Sequence, residues 1–394
     1  MDRQTLTRRG LFVGGAVAAG SLAAAGGHLA GRGGGPETPA PNGLPEREPF
    51  HGVHQAGVST YPQAHAVFLG LELRPGTDRE ALGRLMRLLT DDARRLTEGR
   101  AGLADAQPEL AAIPARLTVT FGFGPGLFTA AKLEHERPLT ALPAFRTDRL
   151  EDRWTGGDLL VQLRCEDSVT LTHALRLIAK DARAFATVKW TQRGFRRPES
   201  SQEVGQTQRN LMGQLDGTVQ PTDLDRAVWI SSGPEWLRGG TLVALRRIQM
   251  NLEKWDEADE AAKEFAIGRK ITDGAPLTGR KEHDEPDFQA ADRFGLPVID
   301  AAAHIRLARV DDPAQRMLRH GYNYDDGLSD DGVVESGLLF AAYQADLARQ
   351  FIPVQRRLAE ADLLNLWTTT IGSAVFALPP GCGPDGWMGE TLLA

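Results

Sequence analysis

From His51 onward the apolar residues of this chain change period several times, and the order of those changes restricts the fold more than any single motif does. Ala66 to Leu73 reads as a strand, and Leu82, Leu85, Leu88 and Leu89 then recur at helical spacing between Arg79 and Glu98. Leu117 to Phe123 alternates as a half-buried strand does, and Leu159 to Leu163 forms another. Thr170 to Ala186 is amphipathic, and a last strand is expected around Val188. Strand, helix, strand, strand, helix, strand amounts to two split βαβ units, which give an antiparallel sheet with its helices on one face.

A second copy of this ferredoxin-like pattern begins after Leu211. Gly240 to Ile248 reads as a strand, Glu257 to Ile267 as a helix, Leu338 to Tyr343 as a strand, and Asp346 to Asn365 as helical. No short-period repeat accompanies it, so the duplication is one of fold rather than of sequence. The expectation is an α+β protein with a ferredoxin-like half over residues 49–210, a second over 211–394, and a separate segment over 1–48. A net charge of −7 on 394 residues, with no dense basic stripe, argues against nucleic acid as the main partner. The nearest basic cluster, Arg193, Arg196 and Arg197, is followed by Glu199 and Glu203 and reads as a solvated loop.

The first residues follow a different logic. Thr7-Arg8-Arg9-Gly10-Leu11-Phe12 resembles the twin-arginine export signature, and Val13 to Leu29 carries no acidic residue, Lys or Arg. That run is too short and too rich in Ala and Gly for a stable membrane span, and residues 31–49 read as a Gly/Pro linker. The twin-arginine export machinery is therefore an expected partner, with the periplasm or the medium as destination. This route carries folded proteins and suits one that takes up a cofactor before crossing.

Haem iron needs a neutral imidazole held by a second-shell acceptor. Cys165 and Cys382 lie in no Cys-x-x-Cys-His motif, so any haem would be non-covalent; whether the two pair is left open. Of the nine histidines, His28 belongs to the export segment, and His135, His173 and His283 read as solvated. His304, between Ala301-Ala302-Ala303 and Ala308, has small neighbours that let a planar ligand approach, though a buried structural histidine fits as well. Asp216 stands between Gly213 and Gly217, a context for either a surface turn or a close approach of backbone to ligand. Arg319 precedes His320-Gly321-Tyr322-Asn323-Tyr324, read as a rigid aromatic turn; its planar cation suits a buried anion or a developing oxyanion, or is simply exposed.

Taken in order, Asn210 to Gly217, Gly239 to Ile248, His304 to Leu307, Arg319 to Tyr322 and Gly337 to Gln344 form a set that resembles the DyP-type (dye-decolourising) peroxidases, most of all their exported, deferrochelatase-containing branch. His51 to Gly57 and Gly372 to Pro379 extend the resemblance from about residue 50 to the end. It implies a dimeric α+β barrel of two ferredoxin-like halves and one non-covalent b-type haem per chain, bound mainly by the second half. It implies His304 as the proximal iron ligand, Asp216 and Arg319 as the distal catalytic pair, and Gly217 as the close backbone approach to the cofactor. Phe340 would pack over the distal haem edge, and Arg246 or Arg247 would meet a propionate. One departure stands out: position 320 is histidine where a second basic residue such as arginine is expected.

The implied activity is reduction of hydrogen peroxide at the expense of dyes, phenols or other reducing substrates. Tyr322, Tyr324, Tyr343 and Trp367 are candidate electron relays for donors too bulky to reach the haem. The alternative is an exported haem-handling protein that releases iron from haem. A homo-oligomer is neither required nor excluded.

Overall fold

The computed structural model describes residues 46–134, 138–139, 141–202 and 206–394, all within one compact unit. The export motif, His135 and Glu203 lie outside the described residues. Strand β1 (His65–Leu73) leads through helix α1 (Arg79–Thr97) to β2 (Thr118–Phe123) and β3 (Leu159–Cys165). Helix α2 (Ser168–Ala182) and β4 (Ala186–Phe195) complete the first half. Both helices start where an aspartate takes up a free amide: Asp78 accepts from Ala81 N at 2.9 Å, and Asp167 from Thr170 N at 2.7 Å. The amphipathic run to Ala186 ends earlier as helix, because Ala186 already pairs with Leu73 as the first residue of β4.

The second half repeats the pattern with β5 (Thr241–Met250), α3 (Glu260–Ile267), α4 (His304–Leu307), β6 (Leu318–Leu328), β7 (Val334–Gln344), α5 (Phe351–Ala361) and β8 (Thr368–Leu378). Helix α3 is shorter than its pattern: it starts after its N-cap Asp259 and stops at Gly268, whose φ of +87° is left-handed. Helix α5 likewise covers only the middle of 346–365. The larger correction is at residues 319–324, expected as a turn; they lie inside β6, paired from Arg319↔Ala342 to Tyr324↔Gly337.

Each half orders its strands alike, β4-β1-β3-β2 and β8-β5-β7-β6, and the two sheets join edge to edge into one closed antiparallel ring. The joins are thin, a single pair each: Phe123↔Ala377 and Phe195↔Asn323. Because side chains alternate along a strand, each strand serves two cores. Val67, Leu69 and Leu71 of β1 pack outward with Leu82, Leu85 and Leu89 of α1, whereas Ala66 and Phe68 face inward with Tyr322, Tyr343 and Phe376. Gly70 also faces inward, where a Cβ would come within 2.2 Å of the Trp190 ring.

One end of the interior is polar. Arg164 is wholly buried, and no ion pair to it exists among the described residues. Its guanidinium donates to Gly57 O at 2.8 Å, Gln162 Oε1 at 3.1 Å, Tyr343 Oη at 2.6 Å and His320 Nδ1 at 2.6 Å. His173, expected at the surface, is buried on the inner side of α2 with Nε2 on Asp105 Oδ2 at 2.8 Å, tacking the loop before β2 to the helix. His283 is exposed as expected. Cys165 and Cys382 are free thiols, Cys165 directed at the carbonyls of Pro114 and Ala115. No described helix is long and apolar enough to cross a membrane.

Between α1 and α2 two carboxyl groups meet. Asp92 is 1% exposed; its Oδ1 accepts the Leu103 amide at 2.8 Å, but Oδ2, like Asp181 Oδ2, is buried without a donor. Burial, followed by the bond to Asp92 and its charge, pushes Asp181 up to about 7, against the opposing pull of Lys180; Arg95 is the other cation that feels Asp92. A carboxyl raised in the folded state stabilises it fully below the unfolded value near pH 4, and that contribution is lost as pH rises through about 7. Asp92→Asn supplies an amide donor in place of the shared proton. It is expected to raise Tm at pH 8 by about 1–2 °C, the shift for roughly 1 kcal/mol in a protein of this size, with little change at pH 4. Calorimetry across that range checks it, and an unchanged pH slope would exclude the shared proton.

Candidate active site

The parity of the second sheet sorts the expected residues onto two faces. Arg246 pairs with Phe340, and Phe340 with Gly321, so these three share the outer face with Arg319. His320, Tyr322, Tyr343 and Arg247 turn inward. Arg247 lies 3.6 Å from the Tyr324 ring centroid and 4.3 Å from that of Trp154, and donates to Asp326. Arg246 is therefore the arginine on the candidate site's face, but it is 3% exposed and already holds Asp148 and, at 2.9 Å, Ser373 Oγ. A propionate there would have to share it.

Asp216 is carried on a loop against this face. Asn210 folds the loop on itself, its Oδ1 accepting from Met212 N at 3.0 Å and Gln214 N at 3.2 Å, with a bridge between Arg209 and Leu215. Asn323 of β6 anchors it through Leu211 N at 3.1 Å. Asp216 is half-buried, and its Oδ2 would lie 3.7 Å from a Cβ built on Gly321; glycine at 321 thus lets the carboxylate approach β6. Gly217 adopts φ +117°, a conformation that side chains disfavour, and turns the chain just past the acid. A small pocket beside Asp216 is walled by Arg196, Gln208, Asn210, Gly321, Asn323 and Leu338. Arg196 is thus not the solvated side chain expected: it is half-buried, 5.8 Å from the Tyr322 ring centroid.

Arg319 reaches the same loop, donating from Nη2 to Val219 O at 2.7 Å. Burial lowers its pKa below the ordinary value, and the Asp216 carboxylate acts in the opposite sense. His304 opens α4, with its side chain 33% exposed and Nδ1 held at 2.6 Å by Oδ2 of the buried Asp362. Burial alone would depress the imidazole pKa, but Asp362, by charge and hydrogen bond, raises it; Asp216 raises it further and Arg319 opposes. The charges of Asp216 and Arg319 thus both act on His304, which marks the three as one candidate site. Asp362 was not foreseen: it is 58 residues from its partner at the end of α5, and no local pattern marks it.

The donor set fits a haem. Nδ1 is occupied by a carboxylate, which leaves Nε2 for iron in the usual second-shell arrangement. Among the described residues no group of three or more His, Cys, Asp or Glu could hold a metal ion, so a metal at His304 must bring most of its own ligands. Ile305, Phe340, Leu338, Met212 and Leu364 form one apolar cluster beside it, suited to a flat hydrophobic macrocycle. Within the Asp216 loop, the buried Gln214 Nε2 and Thr218 Oγ1 lack partners, as in a site shaped for a polar guest. The candidate relays divide: Tyr322, Tyr324 and Tyr343 are buried on the inner face, whereas Trp367 is half-buried and meets Trp255 edge-on at 5.0 Å.

Known proteins match this chain over most of its length. The family model described as Dyp-type peroxidase, N-terminal, matches residues 55–196, and that described as Dyp-type peroxidase, C-terminal, matches 207–383. A dye-decolorizing peroxidase of Thermobifida fusca is 40% identical over 345 residues, 82% of this chain and 80% of that one. A deferrochelatase of Escherichia coli is 34% identical over 384 residues, 91% and 90%. The crystal structure of a DyP-type peroxidase from Cellulomonas bogoriensis superposes with a TM-score of 0.86 at 50% identity, covering 88% of this chain and 98% of the other. With both halves matched in order and relatives of 34% and 40% identity covering most of the chain, the chain belongs to the DyP-type peroxidase family.

Proposed function

We propose that this protein is a haem peroxidase, reducing hydrogen peroxide to water and oxidising dyes, phenols or similar donors, with His304 as iron ligand and Asp216 and Arg319 acting on peroxide. The observation that carries the reading is the placement of Asp216 and Arg319 on one loop–strand junction, with both charges felt at His304. A haem carrier has no need of such a pair. Bound haem would supply the two electrons that cleave the O–O bond and recover them from the donor. Asp216 accepts a proton from one peroxide oxygen and returns it to the other, which leaves as water. Arg319 holds the charge that develops as the bond breaks, and its fixed cation needs no reorganisation. Asp362 keeps the His304 proton on Nδ1 and the ring in place. Arg246 and Phe340 would border the haem, and Gly217 would let the loop approach it.

Asp216→Asn and Arg319→Leu should each slow the reaction with peroxide by about 10²–10³-fold while haem remains bound. Stopped-flow spectra of the haem band measure this, and parental rates in both variants would transfer the reading to iron release, as in the relative named deferrochelatase. That alternative is tested on the parent by assaying for metal-free porphyrin. Asp362→Asn should weaken haem binding about 10–100-fold with peroxide reactivity of the loaded fraction largely kept. Haem titration into the apoprotein decides it, with unchanged affinity counting against the carboxylate's role.

The Thr7–Phe12 motif supports export by the twin-arginine route to the periplasm or beyond. Replacing Arg8 and Arg9 together by Lys should hold the full-length protein in the cytoplasm. Cell fractionation reads the outcome; undiminished export would point to another route.

A further inference from the structure

Strand β6 carries Arg319 at its open start. On one side Arg319 faces Ala342 of β7, but on the other β4 pairs with β6 only at Phe195↔Asn323, four residues further along. At Arg319 no neighbouring strand is present to satisfy the outward main-chain groups, and an unmet pair of this kind is costly once buried. A side chain takes the strand's place. Gln220 Nε2 donates to Arg319 O at 2.9 Å, and Arg319 N donates to Gln220 Oε1 at 3.0 Å. A primary amide presents a donor and an acceptor side by side, as a peptide unit does. Gln220 is half-buried and stands four residues beyond Asp216, past the Gly217 turn, where a Cβ on Gly217 would touch its Nε2 at 3.5 Å. The adjacent Val219 carbonyl receives the Arg319 guanidinium. Main chain and side chain of Arg319 are therefore both tied to the segment that follows Asp216, while Asn323 ties the segment before it.

We propose that Gln220 is a positioning residue for the peroxide reaction: its amide, standing in for an absent strand, fixes Arg319 relative to Asp216. The proposal rests on the reading that these two act on peroxide. Rate loss on misplacing a catalytic group by about 1 Å is on the order of a hundredfold, so a two-point clamp of this kind has a measurable consequence. Gln220→Glu is the informative change, being equal in shape but able only to accept. It keeps the bond from Arg319 N and sets a carboxylate oxygen against Arg319 O. Gln220→Ala removes both bonds.

The experiment uses the haem-loaded protein with Gln220→Glu, Gln220→Ala, Asp216→Asn and Arg319→Leu. It measures the second-order rate constant with hydrogen peroxide, the KM for an organic donor, and amide hydrogen exchange along β6. The expected result is a ten- to hundredfold lower peroxide rate constant in both Gln220 variants, with haem content and donor KM unchanged. Exchange at Arg319 should quicken in Gln220→Ala, which loses the acceptor for that amide, while Tyr322 and Asn323 stay protected, which shows that the fold is kept. Faster exchange at Arg319 with a parental peroxide rate would overturn the proposal by reducing Gln220 to a structural cap. A parental rate in Gln220→Glu alone would overturn it too, because donor and acceptor would then not both be needed. Parental rates in Asp216→Asn and Arg319→Leu would instead remove the underlying reading, and this proposal with it.

Discussion

The unpaired main-chain groups on the outer strands of two four-stranded sheets are the constraint around which this molecule is arranged. Each half, built alone, would leave β2 and β4, or β6 and β8, with a row of free amides and carbonyls. The halves close one another's edges, but by a single residue pair at each join. At β6 part of the remaining edge is satisfied by the loop that carries Asp216. The same requirement that closes the ring brings the acid and the arginine together.

Legibility of the sequence follows from how evenly the two faces of an element differ. In β1 to β3 and in α1, apolar residues face a core at the expected period, and their positions could be read directly. In β6 the inward residues are His320, Tyr322 and Tyr324, while the outward ones are Arg319, Gly321 and Asn323. A strand whose outer face is given to a site loses its apolar alternation and reads as a turn. The ladder partner that would have corrected this, β7, lies beyond any local window.

The site itself was legible through the ordered set of motifs rather than through any one residue. His304, Asp216 and Arg319 each have an unremarkable local reading, and in the folded chain the charges of Asp216 and Arg319 both act on His304. Their supports were not legible, since Asp362, Gln220 and Asn323 act through pairs spaced 58 to 112 residues apart. His173 and Arg196 depart from their expected surface positions for the same reason: each is covered by a partner distant in sequence, Asp105 for His173 and the Tyr322 ring for Arg196. Which of Arg246 and Arg247 lies on the outer face follows from the parity of β5, fixed by its pairing with β7 and β8.

The contact between Arg164 and His320 also accounts for the departure at position 320. A guanidinium has no lone pair to offer, so His320 Nδ1 must be the acceptor and the ring proton must sit on Nε2. Burial, then Arg164 and Arg196, hold that imidazole well below its ordinary pKa, so it stays neutral. A basic side chain at 320 would set two uncompensated cations against each other in a space without a carboxylate partner for either. In this chain, then, a cation at 320 is compatible with this interior only if Arg164 gives up its own charge.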